Sequence, residues 1–109
     1  MAEIFSDRKN AHEAKYKLEQ EAQFKVDSRR NKLLGLWLGE RLGKTESQLE
    51  DYAKEVVISD LEEPGVEDVV RKVMKDIVDA GADITDTDIR AKLSEFEEEA
   101  REQILGDDR

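Results

Sequence analysis

The chain is 109 residues long, has no cysteine and carries a net charge of −10, with 42% charged residues, 6% aromatics and one proline. That length and a 38% hydrophobic content support one modest core. The composition excludes a disulfide framework and a thiolate zinc site, and suits long solvated helices better than a sandwich or barrel. The charge is uneven. Residues 1–44 hold 10 Lys and Arg against 7 Asp and Glu, a net +3, whereas residues 45–109 hold 8 against 21, a net −13. An acidic C-terminal body repels phosphates, which argues against nucleic acid as a partner. The first ten residues lack the apolar core of a signal peptide, and nowhere do about 18 apolar residues run together as a membrane span requires. A reducing, cytoplasmic location is the expectation.

Hydrophobic spacing organises the chain into four helices, an all-α, four-helix bundle-like fold. The first is expected over about 8–42, opening after Ser6 and Asp7 and carrying Ala11, Ala14, Leu18, Ala22, Val26, Leu33 and Trp37 at helical spacing. Gly43 supplies its stop. Thr45 with Gln48 forms a capping box for a second helix over 46–61, whose face is Leu49, Tyr52, Ala53, Val56, Val57 and Leu61. Pro64-Gly65 makes a turn into a third, 66–80, with Val66, Val69, Val70, Val73, Met74 and Ile77 in one stripe and Gly81 at its end. Thr85 and Asp88, an acidic capping box, open the fourth over 86–105, lined by Ile89, Leu93, Phe96, Ala100 and Ile104 and stopping near Gly106. Trp37 reads as core. Gly35 and Gly39 read as sites of close helix approach.

The helix lengths do not match. At 1.5 Å per residue the first spans about 52 Å and the others only about 22–30 Å, so the first overhangs the bundle. Between Asp7 and Gln23 its side chains are mostly charged or small, too little apolar area to offset ordering costs of about 1–2 kcal/mol per residue. This divides the chain into a mobile arm, 1–18, and a four-helix domain, 19–109. Two readings of the arm stand side by side. It is a solvated extension held by pairs such as Glu13–Lys17 and Glu21–Lys25, each worth about 0.2–0.5 kcal/mol. Or it is a recognition segment that folds on a protein partner, with Ile4, Phe5, Ala11, Tyr16 and Leu18 as anchors and Arg8, Lys9 and Lys15 facing acidic surface.

Chemistry-bearing constellations are absent from the sequence. His12, the single histidine, has no companion ligands at metal-binding spacing and reads as solvated or partner-facing. Glu62-Glu63, Glu97-Glu98-Glu99 and Asp107-Asp108 fall at helix ends or on polar faces; no Glu-x-x-His occurs, and Gly39 to Lys44 does not make a phosphate-cradling loop. No catalytic residue and no metal site are expected.

The run Phe24-Lys25-Val26-Asp27-Ser28-Arg29-Arg30-Asn31-Lys32-Leu33-Leu34-Gly35-Leu36-Trp37 resembles the signature of the zeta subunit of the alphaproteobacterial F-type ATP synthase, a small ATPase inhibitor. Tyr52 to Val57, Asp60, Glu62 to Gly65, Glu67 to Val69, Arg71 to Val73, Ile89-Arg90 and Lys92 are also similar to that family. At the N-terminus Phe5, Asp7-Arg8, Ala11, Glu13, Lys15 and Tyr16 resemble its inhibitory segment, while residues 17–23 match poorly. The resemblance implies four helices and an N-terminal region, here about Ala2 to Lys17, that enters the catalytic head between alpha, beta and gamma subunits and blocks rotation during ATP hydrolysis. Together with the recognition reading of the arm it gives Ile4, Phe5, Arg8, Lys9, Ala11, His12, Lys15 and Tyr16 as the expected partner-binding set, although Lys9 and Asn10 depart from the acidic-then-basic pair expected of the family there. It implies a non-enzymatic regulator, monomeric when free and peripheral to the head. Some relatives are thought to bind adenine nucleotides, for which the sequence offers no site. The competing reading is an acidic helical adaptor or antitoxin-like protein that clamps another protein.

Overall fold

In a computed structural model of the chain the described residues are 2–60 and 65–106, with side chains described from Glu19 onward. Four helices account for nearly all of them: α1 (Ala2–Arg41), α2 (Glu46–Ser59), α3 (Glu67–Ala80) and α4 (Asp86–Leu105). Helices α2 and α4 both pack along α1, and α3 closes the domain against α2 and α4.

Local chemistry sets the boundaries. Gly43 and Gly81 adopt positive φ, and the bonds Lys44 N to Gly39 O (3.0 Å) and Ala82 N to Ile77 O (3.0 Å) close the ends of α1 and α3 in the manner of a Schellman motif. The Thr85 and Asp88 side chains cap each other's backbone N–H at 3.1 and 3.0 Å, and Gln48 Oε1 accepts from Thr45 N–H at 3.0 Å. Three boundaries differ from the sequence expectation. Helix α1 begins at Ala2 rather than near residue 8, because no glycine or proline occurs in 2–34 and Ser6-Asp7 does not stop the hydrogen-bond ladder. Helix α2 ends at Ser59, where Asp60 N bonds Val57 O at 3.2 Å in a tightened last turn; Leu61 lies outside the described residues. Val66 is the N-cap of α3, its carbonyl accepting the first helical bond from Val70 N at 2.9 Å.

The core forms where the four stripes meet: Leu34 and Leu38 from α1, Tyr52 and Val56 from α2, Val69, Val70, Val73 and Ile77 from α3, and Ile89, Leu93 and Phe96 from α4. Burying each such side chain stabilises the fold by about 1.5–3 kcal/mol. Tyr52 satisfies its hydroxyl by donating to Asp76 Oδ2 at 2.8 Å, and the ammonium groups of Lys44 and Lys72 lie 4.8 and 5.7 Å from its ring centroid. Burial, then that bond and the Asp76 charge, push its phenol pKa up, so it stays neutral.

Trp37, expected in the core, packs against it but at its margin. It is half-buried at the core's edge, edge-on to Phe96 at 6.5 Å, with Arg41 and Lys92 cations 4.7 and 5.2 Å from its centroid. The long basic side chains of Arg41 and Lys92 cover the part of the indole that the core does not. Phe24, two turns before Asn31, is 58% exposed.

Length dominates the shape. Forty residues of α1 at 1.5 Å each make a rod of about 60 Å, and the molecule measures 66 × 26 × 23 Å. No helix of the described residues is long and apolar enough to cross a membrane.

Candidate partner-binding rod and its joint

All eight residues of the expected partner-binding set, Ile4, Phe5, Arg8, Lys9, Ala11, His12, Lys15 and Tyr16, fall on α1, and their side chains lie outside the described residues. The expectations that the arm is mobile and that His12 is solvated or partner-facing concern the same stretch. The rod can be followed from the bundle toward them. Val26 and Ala100 bury against the α1–α4 seam, and beyond them α4 reaches α1 by polar contacts, Arg29 Nε donating to Gln103 Oε1 at 2.7 Å and Arg101 Nη2 to Gln23 Oε1 at 3.4 Å. Ala22 is half-buried, and Glu19, Gln20 and Glu21 are exposed. Helix α4 therefore covers α1 only as far as about Ala22, because it ends at Leu105.

Where the rod enters the bundle the apolar stripe is interrupted by two buried polar residues. Arg30 is 5% exposed and Asn31 is fully buried. Arg30 Nε donates to Asn31 Oδ1 at 3.1 Å; Nη1 lies 3.4 Å from both Asp27 Oδ1 and Glu97 Oε1, and Nη2 lies 3.5 Å from Asp60 Oδ2. One guanidinium thus faces carboxylates from α1, the end of α2 and α4, each beyond the 2.7–2.9 Å of a tight charge-assisted bond. Among the described residues, Asn31 Nδ2 and Asp60 Oδ1 are buried without a hydrogen-bond partner. The sequence reading placed carboxylates only on exposed faces and passed over this cluster. The available signal was register: Val26, Arg30 and Leu34 are four apart and share one helix face.

Burial raises the pKa of Asp60, helped by the Asp27 and Asp68 charges, while the Asn31 amide and Arg30 pull it down. A carboxylate whose pKa is raised on folding costs stability when ionised, and the cost is relieved as pH falls through the folded pKa. Asp60→Asn should therefore raise the melting temperature at pH 7, and the gain should shrink as pH is lowered into the carboxylate range. Glu67, held low by Arg90, and Asp88, held low by Thr85, lose stability in acid equally in both proteins, so the difference isolates Asp60. Melting curves across pH check this; a lower melting temperature for Asp60→Asn at pH 7 would show that the Arg30 attraction outweighs burial.

A cleft of about 250 Å³ beside this cluster is lined by Arg30, Val66, Arg90, Leu93, Ser94 and Glu97. It makes a poor phosphate cradle. Arg90 is already bidentate to Glu67 at 2.8 and 3.0 Å and bonded to Asp86 at 2.6 Å, Arg30 faces three carboxylates, and Glu97 would oppose an anion. The described residues contain no group of three or more potential ligands arranged to hold a metal ion.

The structure is an all-helical, four-helix domain from which one helix projects well past its neighbours, with a polar joint buried at its base. The family model for the ATPase inhibitor subunit zeta matches residues 1–103, and the chain belongs to that family. Among solved structures, one determined by solution NMR is 42% identical and superposes with a TM-score of 0.68, covering 78% of this chain and 96% of its own. A comparison with curated proteins finds no match. Family membership makes the chain a non-enzymatic regulator, and implies that it binds the F-type ATP synthase and inhibits it.

Proposed function

We propose that the chain blocks ATP hydrolysis by inserting residues 1–18, as the leading end of α1, at the interface of the alpha, beta and gamma subunits in the catalytic head. The bundle stays outside, peripheral to the head, and the free protein is a monomer. The observation that carries this reading is the overhang: α4 leaves α1 near Ala22, so some twenty residues of rod project beyond the helices that cover the rest. A projecting helix that fills a crevice between moving subunits stops them as a wedge does. Phe5, Tyr16 and Ile4 would supply buried apolar area, with Ala11 permitting close approach. Arg8, Lys9 and Lys15 would make charge-assisted bonds to acidic groups, and His12 would sit among them at the interface.

The adaptor or antitoxin-like alternative anticipates binding without any effect on ATP hydrolysis, and membership in an inhibitor family weighs against it. The test is a pull-down with the full chain from an alphaproteobacterial extract. Alpha, beta and gamma subunits should be recovered together; recovery of none of them would defeat the proposal.

A further inference from the structure

The Arg30 cluster is an odd way to fill the base of a helix. A buried charge surrounded at 3.4–3.5 Å by three carboxylates loses much of its attraction to desolvation. Apolar residues of similar volume commonly serve stability as well or better. What the cluster supplies is direction. A guanidinium donates from a rigid planar fork, and its carboxylates come from three elements: Asp27 on α1, Asp60 at the end of α2 and Glu97 on α4.

The other contacts near the rod's exit are less directional. Val26 and Ala100 are apolar and can slide, and the Arg29–Gln103 and Arg101–Gln23 bonds are exposed to water. The α1–α2 seam closes on small residues, Gly35 against Ala53, which sets a spacing but donates no bond. Leverage makes the angle matter. From Arg30 to the start of α1 is 28 residues, about 42 Å, so a tilt of about 5° at the joint moves the tip by about 4 Å.

We infer that Arg30, with Asp60 and Glu97, is a positioning group for inhibition: it fixes the angle at which the rod leaves the bundle, so that tip and bundle meet their separate places on the enzyme together. This rests on the reading that residues 1–18 are inserted. Asp60→Asn with Glu97→Gln keeps side-chain size while cutting both cross-helix charge links, leaving Arg30 with Asp27 on its own helix. Arg30→Lys is the second variant, retaining the charge without the fork.

Because the chain has no cysteine, spin labels can be placed at Gln20→Cys and Ser94→Cys, both exposed, and the distance distribution between rod and α4 measured in the full-length protein. The variants should melt as folded proteins, show a broadened distribution, and need about tenfold more protein to inhibit ATP hydrolysis by the isolated catalytic head, within the range by which residues touching neither partner alter coupling. A distribution as narrow as that of the parent, or undiminished inhibition despite broadening, would overturn the inference. If the double variant unfolds, Arg30→Lys decides by the same two readouts. A chain lacking residues 1–18 serves as control: full inhibition by it would sink the insertion reading, while the distance widths would still report whether the cluster sets the angle.

Discussion

A chain that begins at Glu19 is expected to lose inhibition of ATP hydrolysis altogether while melting within a degree or two of the full-length protein. The bundle's stability comes from the stripe Leu34, Leu38, Tyr52, Val56, Val69, Val73, Ile77, Ile89 and Leu93, every member of which lies C-terminal to the cut. The side chains that would become the new end, Glu19, Gln20 and Glu21, are exposed, so truncation removes no contact they make with the core. For a domain of this size about 1 kcal/mol corresponds to about 4–8 °C in melting temperature, so a structural contribution from the arm would be easy to see. Thermal melts by circular dichroism, paired with an ATPase assay on the isolated head, separate the cases. If the truncated chain melted many degrees lower, the arm would be part of the domain. If it inhibited as well as the full chain, the inhibitory surface would lie on the bundle.

Much of the architecture was legible in the sequence because it is set by local chemistry. Gly43 and Gly81 stop helices by adopting a conformation other residues avoid, and Thr85 with Asp88 start one with two side-chain bonds spanning three residues. The stripes of α3 and α4 repeat at three and four because each helix faces one core, and the buried residues are those the spacing selects. The family signature between Phe24 and Trp37 pointed to the same family as the model that matches residues 1–103. What escaped is non-local. Arg30 and Asn31 entered the sequence reading only as part of the family signature, since nothing on α1 reveals that Asp60 and Glu97, 30 and 67 residues after Arg30, will meet them in the core. The depth of Trp37 depends on Lys92 and Phe96 from α4, and the exposure of Phe24 belongs to the assembled domain as well. The start of α1 was misplaced for another reason: a residue able to cap need not do so when the helix can continue past it.

Gly35→Ala should unfold or severely weaken the domain, against the general rule for its position. In an exposed helix interior, alanine in place of glycine stabilises by about 1 kcal/mol, because the backbone entropy that glycine loses on folding is reduced. Gly35 is buried on α1, however, and a methyl group there would stand 2.6 Å from Ala53 Cα, 3.2 Å from its Cβ and 3.4 Å from its N. The obstruction is backbone, which no rotamer change can move, so α1 and α2 would have to separate. Separation would loosen Leu34 and Leu38 from Tyr52 and Val56 at once, and overpacking of this kind costs about 1–3 kcal/mol even before such losses are added. Gly39 provides the comparison. An added methyl there meets Leu49 Cδ2 at 2.7 Å, the far end of a half-buried, flexible side chain that can swing aside, so Gly39→Ala should be much milder. Denaturant titrations of the two variants measure the contrast. A Gly35→Ala protein as stable as the parent would mean that α1 and α2 do not approach this closely, and the seam on which the rod is seated would have to be redrawn.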